Sequence, residues 1–257
     1  GNTTIGGNIP STTILTSSFT GGSDIQKLWD LRLIPDNEGV SSSFEFRLNN
    51  TSQASSSIDS ASKSISMSTN YTTKHDGQLW NVMLQRMTSS ISGSGANEYR
   101  LHSSLQDALR ITTYNYVTMS VSGGLTTDSN YYANQNWVST GSRNELSSSN
   151  LIVGVTLSSS LSQVKAWSTS LSASKFRQHT LNKFSTTGNS IDSHRKELIY
   201  HYKLNENYTT SSVSSSTQKL NIIDASPSTT YKDYSFKISG SIVSASSVLY
   251  GFDSIDV

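Results

Sequence analysis

The sequence of 257 residues contains no cysteine and only three prolines. The lack of cysteine excludes disulfides, thiolate zinc sites and cysteine nucleophiles. Charged residues make up only 14% of the chain and the formal net charge is +1, so a nucleic-acid-binding surface is not expected. The chain has no window of about 20 apolar residues, and we therefore expect no membrane-spanning helix. Because residue 1 is Gly and not Met, we expect a processed chain or part of a longer protein.

Hydrophobic residues are also scarce, at 33% of the chain, and Ser and Thr take their place in runs such as 41–43 and 214–216. A disordered chain of this polarity would normally carry a high net charge, which is absent here. The Tyr, Trp, Val and Ile residues instead fall into alternating patterns, which favour strands with hydroxylated outer faces.

These patterns predict about ten short strands at spacings of roughly 8–12 residues, as in a β-sandwich or barrel. In Ser42–Leu48 the apolar side chains alternate, and in Leu79–Met87, expected to be a central strand, Trp80, Val82 and Leu84 share a face. For Asp24–Ile34 we expect a short turn that leads into a strand. The remaining predicted strands are Ser64–Thr69, Glu98–His102, Ala108–Thr113, Tyr116–Ser122, Tyr131–Thr140, Leu151–Leu157, Ser162–Trp167 and Glu197–Asn207.

The segment Asn150–Asn182 combines two predicted strands with a short helix that Ser172 can cap. It resembles the closing strands of laminin-G-like, concanavalin-A-type jelly-roll domains. The matching positions are Gly154, Val164, Lys165, Trp167, Leu171, Ser172 and Phe176.

This resemblance covers roughly 35–188, because the strands at 44–48 and 80–86 precede the closing segment in the order typical of that family. It implies an all-β, antiparallel β-sandwich (a concanavalin-A/laminin-G-like jelly roll) with extended terminal arms. We therefore expect an N-terminal arm and entry strand at 1–34, a jelly-roll domain at 35–189 and a C-terminal β segment at 190–257. The arm could pack on the main domain or on a neighbouring subunit, or it could be a loose terminus.

The C-terminal segment resembles the start of a second jelly-roll unit. FEFRLNN at 44–50 and YHYKLNEN at 200–207 share an aromatic–x–aromatic–basic–Leu–Asn order, offset by 156 residues. The two segments could be a repeat, or simply two similar amphipathic strands.

The stretch from Arg195 onward, together with HTLNKFSTTGNS at 179–190, resembles large structural proteins of tailed bacteriophages, particularly T4-like phages of marine bacteria. This resemblance implies a component of the virion, such as a tail, baseplate, fibre or decoration protein. It implies partners among other virion proteins or copies of the same chain.

No motif in the sequence points to catalysis. Glycosidases of this fold carry paired carboxylates on one strand face, and no Glu-x-Asp-x-(x)-Glu run occurs here. The five histidines lack metal-ligand spacing, and we assign no metal and no cofactor.

Two sets of residues are candidates for binding. Trp137, Tyr131 and Tyr132, together with Tyr114 and Tyr116, could stack on sugar rings, although aromatic residues in strands more often pack against each other. The strand at Tyr200, Tyr202 and Leu204 could pair edge to edge with another chain.

The sequence thus predicts a non-enzymatic structural module of a virion. The alternative is a lectin-like domain that binds a glycan on the host surface, and a glycoside hydrolase is the least favoured hypothesis.

Overall fold

The computed structural model describes eleven ranges of the chain, to which all structural statements refer: 10–21, 24–49, 64–74, 77–88, 97–121, 150–154, 160–188, 194–204, 208–210, 218–220 and 224–226. The chain divides into two compact units. The first unit comprises Gly1–Ser158 and Ser170–Leu181, and the second comprises Ser159–Thr169 and Asn182–Val257.

The described residues form twelve strands and one helix. The helix, α1, spans Ala173–Leu181. Each pair of hydrogen-bonded strands is antiparallel, which confirms the predicted all-β antiparallel class. The strands are β1 Thr12–Gly21, β2 Asp24–Pro35, β3 Ser42–Leu48, β4 Ile65–Ser68, β5 Leu79–Thr88, β6 Asn97–Asp107, β7 Arg110–Val121, β8 Asn150–Val153, β9 Val164–Trp167, β10 Leu198–Tyr202, β11 Tyr208–Thr210 and β12 Gln218–Leu220.

A five-stranded sheet in the first unit has the order β4-β3-β2-β1-β8. The strands β1 to β4 lie side by side in the order in which they follow along the chain. The strand β8 comes much later in the chain and pairs with the other edge of β1. The N-terminal strand β1 is therefore part of this sheet. The boundary predicted between residues 34 and 35 falls at the end of β2, and that between 189 and 190 lies outside the described residues, so both stay predictions.

The strand β2 corrects one expectation from the sequence. The whole of Asp24–Pro35 is extended and pairs with β1, so the short turn expected at its start is wrong. Register shifts between Thr13 and Leu15 and between Ser17 and Ser18 interrupt the regular alternation of this hairpin. Such bulges put two residues opposite one, and this obscures the period-two signal in the sequence.

A second sheet of the first unit has the order β5-β6-β7. Two long strands replace the three short ones expected between 98 and 122, because the chain reverses at Ala108 and Leu109. Ala108 has a φ of 50°, a left-handed value that a two-residue hairpin turn requires. The strand β5 is an end strand of this described sheet and not a central one.

The two sheets share one hydrophobic core. Phe46 of β3 stacks on Tyr99 of β6 with ring centroids 5.1 Å apart, and both residues are completely buried. Phe44 meets Trp80 of β5 edge to face at 5.9 Å. The predicted inward faces of β3 and β5 are confirmed, since Phe44, Phe46, Leu48, Trp80, Val82 and Leu84 all belong to this core.

The second unit contains the β9–β10 pair, the β11–β12 pair and a small aromatic core. Ile199, Tyr200 and Tyr202 are buried there, and Val164 and Ala166 pack against them. The expectation that Val164 and Ala166 share a face is therefore confirmed.

Candidate functional site

Of the sugar-stacking candidates, Trp137, Tyr131 and Tyr132 lie outside the described residues, whereas Tyr114 and Tyr116 are described and lie on β7. The role of all five stays a prediction. The edge-strand candidates are described. Tyr200 and Tyr202 are each only 4% exposed, and Leu204 is partly buried with a φ of 57°.

Both edges of β10 already carry backbone contacts. One edge pairs with β9, and on the other Asp224 bridges to Tyr202 while Ala225 N–H donates to the His201 carbonyl at 2.8 Å. Pairing with another chain at this strand stays a prediction, and it would require the Asp224–Ala225 contacts to open.

The most elaborate side-chain arrangement lies on the outer face of the β5-β6-β7 sheet, the face turned away from the core. Register places Gln85, His102, Ser104, Tyr114 and Tyr116 on this face. The helix α1 lies over part of it, because Phe176 packs on His102 with centroids 5.7 Å apart and the Thr180 and Ser104 hydroxyls hydrogen-bond at 2.8 Å. The side-chain amide of Gln85 donates to the Leu171 carbonyl just before the helix.

Local sequence explains why a helix begins at this place. The Ser172 hydroxyl accepts from the Lys175 backbone N–H at 3.1 Å, as an N-cap does, and the Ser172 carbonyl accepts from the Phe176 N–H at 2.9 Å. The predicted cap is confirmed.

Substitution of the cap tests this local argument. We expect Ser172→Ala to lower the free energy of unfolding by about 1 kcal/mol, because an N–H at the helix start loses its acceptor. Ser174→Ala is the matched control, since Ser174 is an exposed residue inside the helix. Urea unfolding checks both, and hydrogen exchange of the α1 amides should accelerate in Ser172→Ala alone. Equal behaviour of the two variants would contradict the capping role.

His102 is the centre of this arrangement. It is 3% exposed, and its Nδ1 hydrogen-bonds with the Tyr114 hydroxyl at 2.8 Å. The Tyr116 ring lies on the imidazole with centroids 4.6 Å apart. Among the described residues, Nε2 of His102 is buried without a hydrogen-bond partner. Burial, with a smaller contribution from the Arg100 charge, lowers the pKa of His102 to about 4.

Acid should therefore destabilise this region through His102. Its folded pKa of about 4 lies below the ordinary value of 6.5, so the unfolded chain binds one more proton between these pH values. We expect the free energy of unfolding to fall by about 2 kcal/mol from pH 7 to 4.5 on account of this residue.

Urea titrations of wild type and His102→Gln at pH 7 and pH 4.5 measure the contribution of His102 to the free energy of unfolding. The glutamine variant keeps a polar side chain but does not titrate, so its loss of stability over the same range should be about 2 kcal/mol smaller. Parallel pH profiles of the two proteins would show that His102 is not buried in its neutral form.

The rim of this face carries a cation. The Arg177 guanidinium lies 4.5 Å from the centre of the Tyr114 ring, and Arg177 itself is exposed. The ion pairs among the described residues involve Arg32, Arg47, Arg100 and His194, and Arg177 takes part in none of them.

The outer face of the five-stranded sheet carries paired charges. Asp30 is 2% exposed, and its carboxylate accepts from Thr16 at 2.6 Å, from Arg47 at 2.7 Å and from Asn49 at 3.1 Å. Burial raises the pKa of Asp30, but these hydrogen bonds and the Arg47 charge outweigh it and leave the pKa below its ordinary value. On the same face Arg32 pairs with Glu45.

The second unit contains a buried basic side chain, His201, and a partly buried one, Lys165. His201 is completely buried and its Nε2 donates to Gln163 Oε1 at 2.7 Å. The Lys165 ammonium donates to the carbonyls of Lys183 and Ser185, the latter at 2.8 Å. Burial, followed by repulsion from Lys203, lowers the pKa of Lys165 to about 7. These contacts fasten residues 183–185 to β9.

Among the residues that the structure describes, no group of three or more His, Asp or Glu side chains could hold a metal ion. In the same part of the chain, no helix is both long enough and apolar enough to cross a membrane.

No protein-family model matches the chain. Comparison with curated proteins and with solved structures likewise finds no match.

Sequence reasoning did not single out His102 or Arg177. His102 lies on a strand and Arg177 on the helix α1, 75 positions apart, so no local motif links them. The only sequence signal was the run of aromatic residues at Tyr114 and Tyr116, together with Phe176 beside the Ser172 cap.

Proposed function

We propose that this chain is a structural component of a phage virion, in which its first unit is a rigid jelly-roll module that mediates protein–protein assembly. The role is non-enzymatic, and the partners are other virion proteins or copies of the same chain. The phage assignment comes from the resemblance of the C-terminal sequence to phage structural proteins.

The observation that carries the structural role is that carboxylates of the two sheets pair with arginines. Asp30 and Glu45 are each tied to an arginine on the neighbouring strand, and Glu98 is tied to Arg100. A glycosidase would need two carboxylates free to face a substrate across a cleft. The Asp30–Arg47 and Arg32–Glu45 pairs fix β2 and β3 to each other instead, which suits a rigid spacer.

Sheet topology supports a jelly roll as the finer description of the fold. The spatial order β8-β1-β2-β3 places a late strand beside the first of three consecutive ones. A Greek key has a related order, in which a later strand returns by a long connection to lie beside the first of three consecutive strands. Jelly rolls are built from two such keys on two packed sheets.

An electron-microscopy map of the phage particle tests the proposal. We expect density for the first unit at a fixed position, with other chains in contact with its surface. A particle map in which every density is accounted for by other proteins would overturn the proposal.

A carbohydrate-binding domain for adhesion to the host surface is the second candidate function. Aromatic rings at the surface favour it, and the described examples are Tyr116, which is 46% exposed, and Tyr71, which is 52% exposed. Trp137, Tyr131 and Tyr132, which the sequence also assigned to this role, can be tested directly. Saturable binding to host polysaccharide that Trp137→Ala abolishes would contradict a purely structural role.

A further inference from the structure

The exposed part of the outer face of the β5-β6-β7 sheet is a row of side chains on β7. Tyr114, Tyr116, Thr118 and Ser120 alternate toward this face, opposite Ser104, His102, Arg100 and Glu98 of β6. Tyr114 is partly buried, and the other three are exposed. Residues two apart on a strand are roughly 7 Å apart. The β7 row therefore presents four hydroxyl-bearing side chains along a line of about 20 Å.

The helix α1 forms a wall along one side of the β7 row. It covers Ser104 and His102 through Thr180 and Phe176, and it leaves Tyr116 open. The Tyr116 ring is held from below by the buried His102 imidazole. Because a neighbouring ring supports it, Tyr116 has little freedom to lose when a ligand covers it.

The positive charge of Arg177 on the helix α1 favours an acidic ligand. The exposed Arg177 stands over Tyr114 and is engaged in none of the described ion pairs. A guanidinium at this position matches a carboxylate, which it can bind through two parallel hydrogen bonds. Nucleic acid is disfavoured, because its affinity depends on many phosphate contacts and the whole chain carries a formal charge of only +1.

We propose that the β7 row, with Arg177 at its rim, binds an acidic polysaccharide that contains uronic acid residues. Tyr116 packs against the apolar face of a sugar ring, because tyrosine presents an apolar ring with a polar tip. Thr118 and Ser120 exchange hydrogen bonds with the sugar hydroxyls, and Arg177 pairs with a uronate. This site rests on and deepens the carbohydrate-binding candidate function, and it does not depend on the structural role.

Affinity electrophoresis of the full chain, in gels that contain polygalacturonate or neutral dextran, tests the site. We expect retardation by polygalacturonate and not by dextran. Tyr116→Ala should weaken binding at least tenfold. Arg177→Gln should weaken it about fivefold and make the remaining binding less sensitive to salt.

Tyr71→Ala is the matched control, because Tyr71 is a tyrosine of similar exposure, 52%, and lies outside the β7 row. It should bind like wild type. Circular dichroism verifies that each variant is folded, and Tyr116→Phe, which keeps the ring, should retain most of the affinity. The proposal is overturned if wild type is not retarded by polygalacturonate, if dextran retards it equally, or if Tyr116→Ala binds as tightly as Tyr71→Ala. None of these results bears on whether the chain is part of the particle.

Discussion

Replacement of Phe46 by alanine should lower the free energy of unfolding by about 4 kcal/mol. Phe46 is completely buried at the contact between the two sheets, where its ring stacks on Tyr99. The variant loses the free energy gained by burying the phenylalanine ring, and it leaves a cavity that the two packed sheets cannot fill. It also removes an aromatic ring pair worth about 1 kcal/mol. Urea unfolding followed by near-ultraviolet circular dichroism measures the loss.

Tyr71→Ala again serves as the control, since its ring is exposed and its loss should change stability by less than about 0.5 kcal/mol. Hydrogen exchange adds spatial detail. In Phe46→Ala, amides of β3 and of β6 should both exchange faster, because the same contact supports both sheets. Faster exchange in β3 alone, or a loss below about 1.5 kcal/mol, would mean that the two sheets do not share a core at Phe46.

Replacement of Arg47 by methionine should cost about 3 kcal/mol at pH 7. Arg47 is the cationic partner of Asp30, whose carboxylate is 2% exposed. Without Arg47, the negative charge stays buried with only the neutral donors Thr16 and Asn49. A buried charge that loses its partner is far more costly than a pair that was never present.

The pH dependence of this variant follows from the pKa of Asp30. In wild type this pKa lies below 3.8, so the carboxylate contributes stability above that pH, and the contribution is lost as the pH falls through the folded pKa. In Arg47→Met the effect of burial is no longer balanced, and the pKa of Asp30 should rise. The difference between variant and wild type should therefore shrink as the pH is lowered from 7 toward 4.

Two further variants separate charge from packing. Arg32→Met removes the cation of the Arg32–Glu45 pair on the same face, whose carboxylate is more exposed at 16%, and should cost only about 1 kcal/mol. The double variant Asp30→Asn/Arg47→Met should be more stable at pH 7 than Arg47→Met alone, because the unpaired charge is gone. A double variant less stable than Arg47→Met would contradict this explanation.

The sequence predicted those elements whose apolar pattern is regular. β3 alternates strictly, and in β5 Trp80, Val82 and Leu84 share one face as expected; these side chains lie in the core or pack against it. The Ser172 cap was also predictable, because it depends on contacts within four residues. These are cases in which local chemistry and tertiary packing agree.

The sequence predicted less well where both faces of a strand are buried or where a bulge shifts the register. In β6 the core covers one face and α1 covers the other, so residues 101–105 are all buried and show no period of two. A strand with two buried faces has no alternating signal to detect. The hairpin turn at Ala108 likewise carries none of the Asn or Gly residues that mark such turns.

The candidate site was mostly beyond prediction for the same reason. Arg177 reaches Tyr114, and Phe176 reaches His102, only because α1 folds back over β6 and β7. No local pattern in the sequence predicts the contact between α1 and these strands. The polar residues around the site resemble the many Ser and Thr residues elsewhere in the chain.

The most direct test of the proposed virion role is quantitative mass spectrometry of phage particles purified from cells that carry the genome encoding this chain. We predict that its peptides co-purify with the particles through density-gradient banding, at a fixed ratio to the major structural proteins. Peptides that remain in the soluble fraction of infected cells and are absent from banded particles would contradict a structural role in the virion.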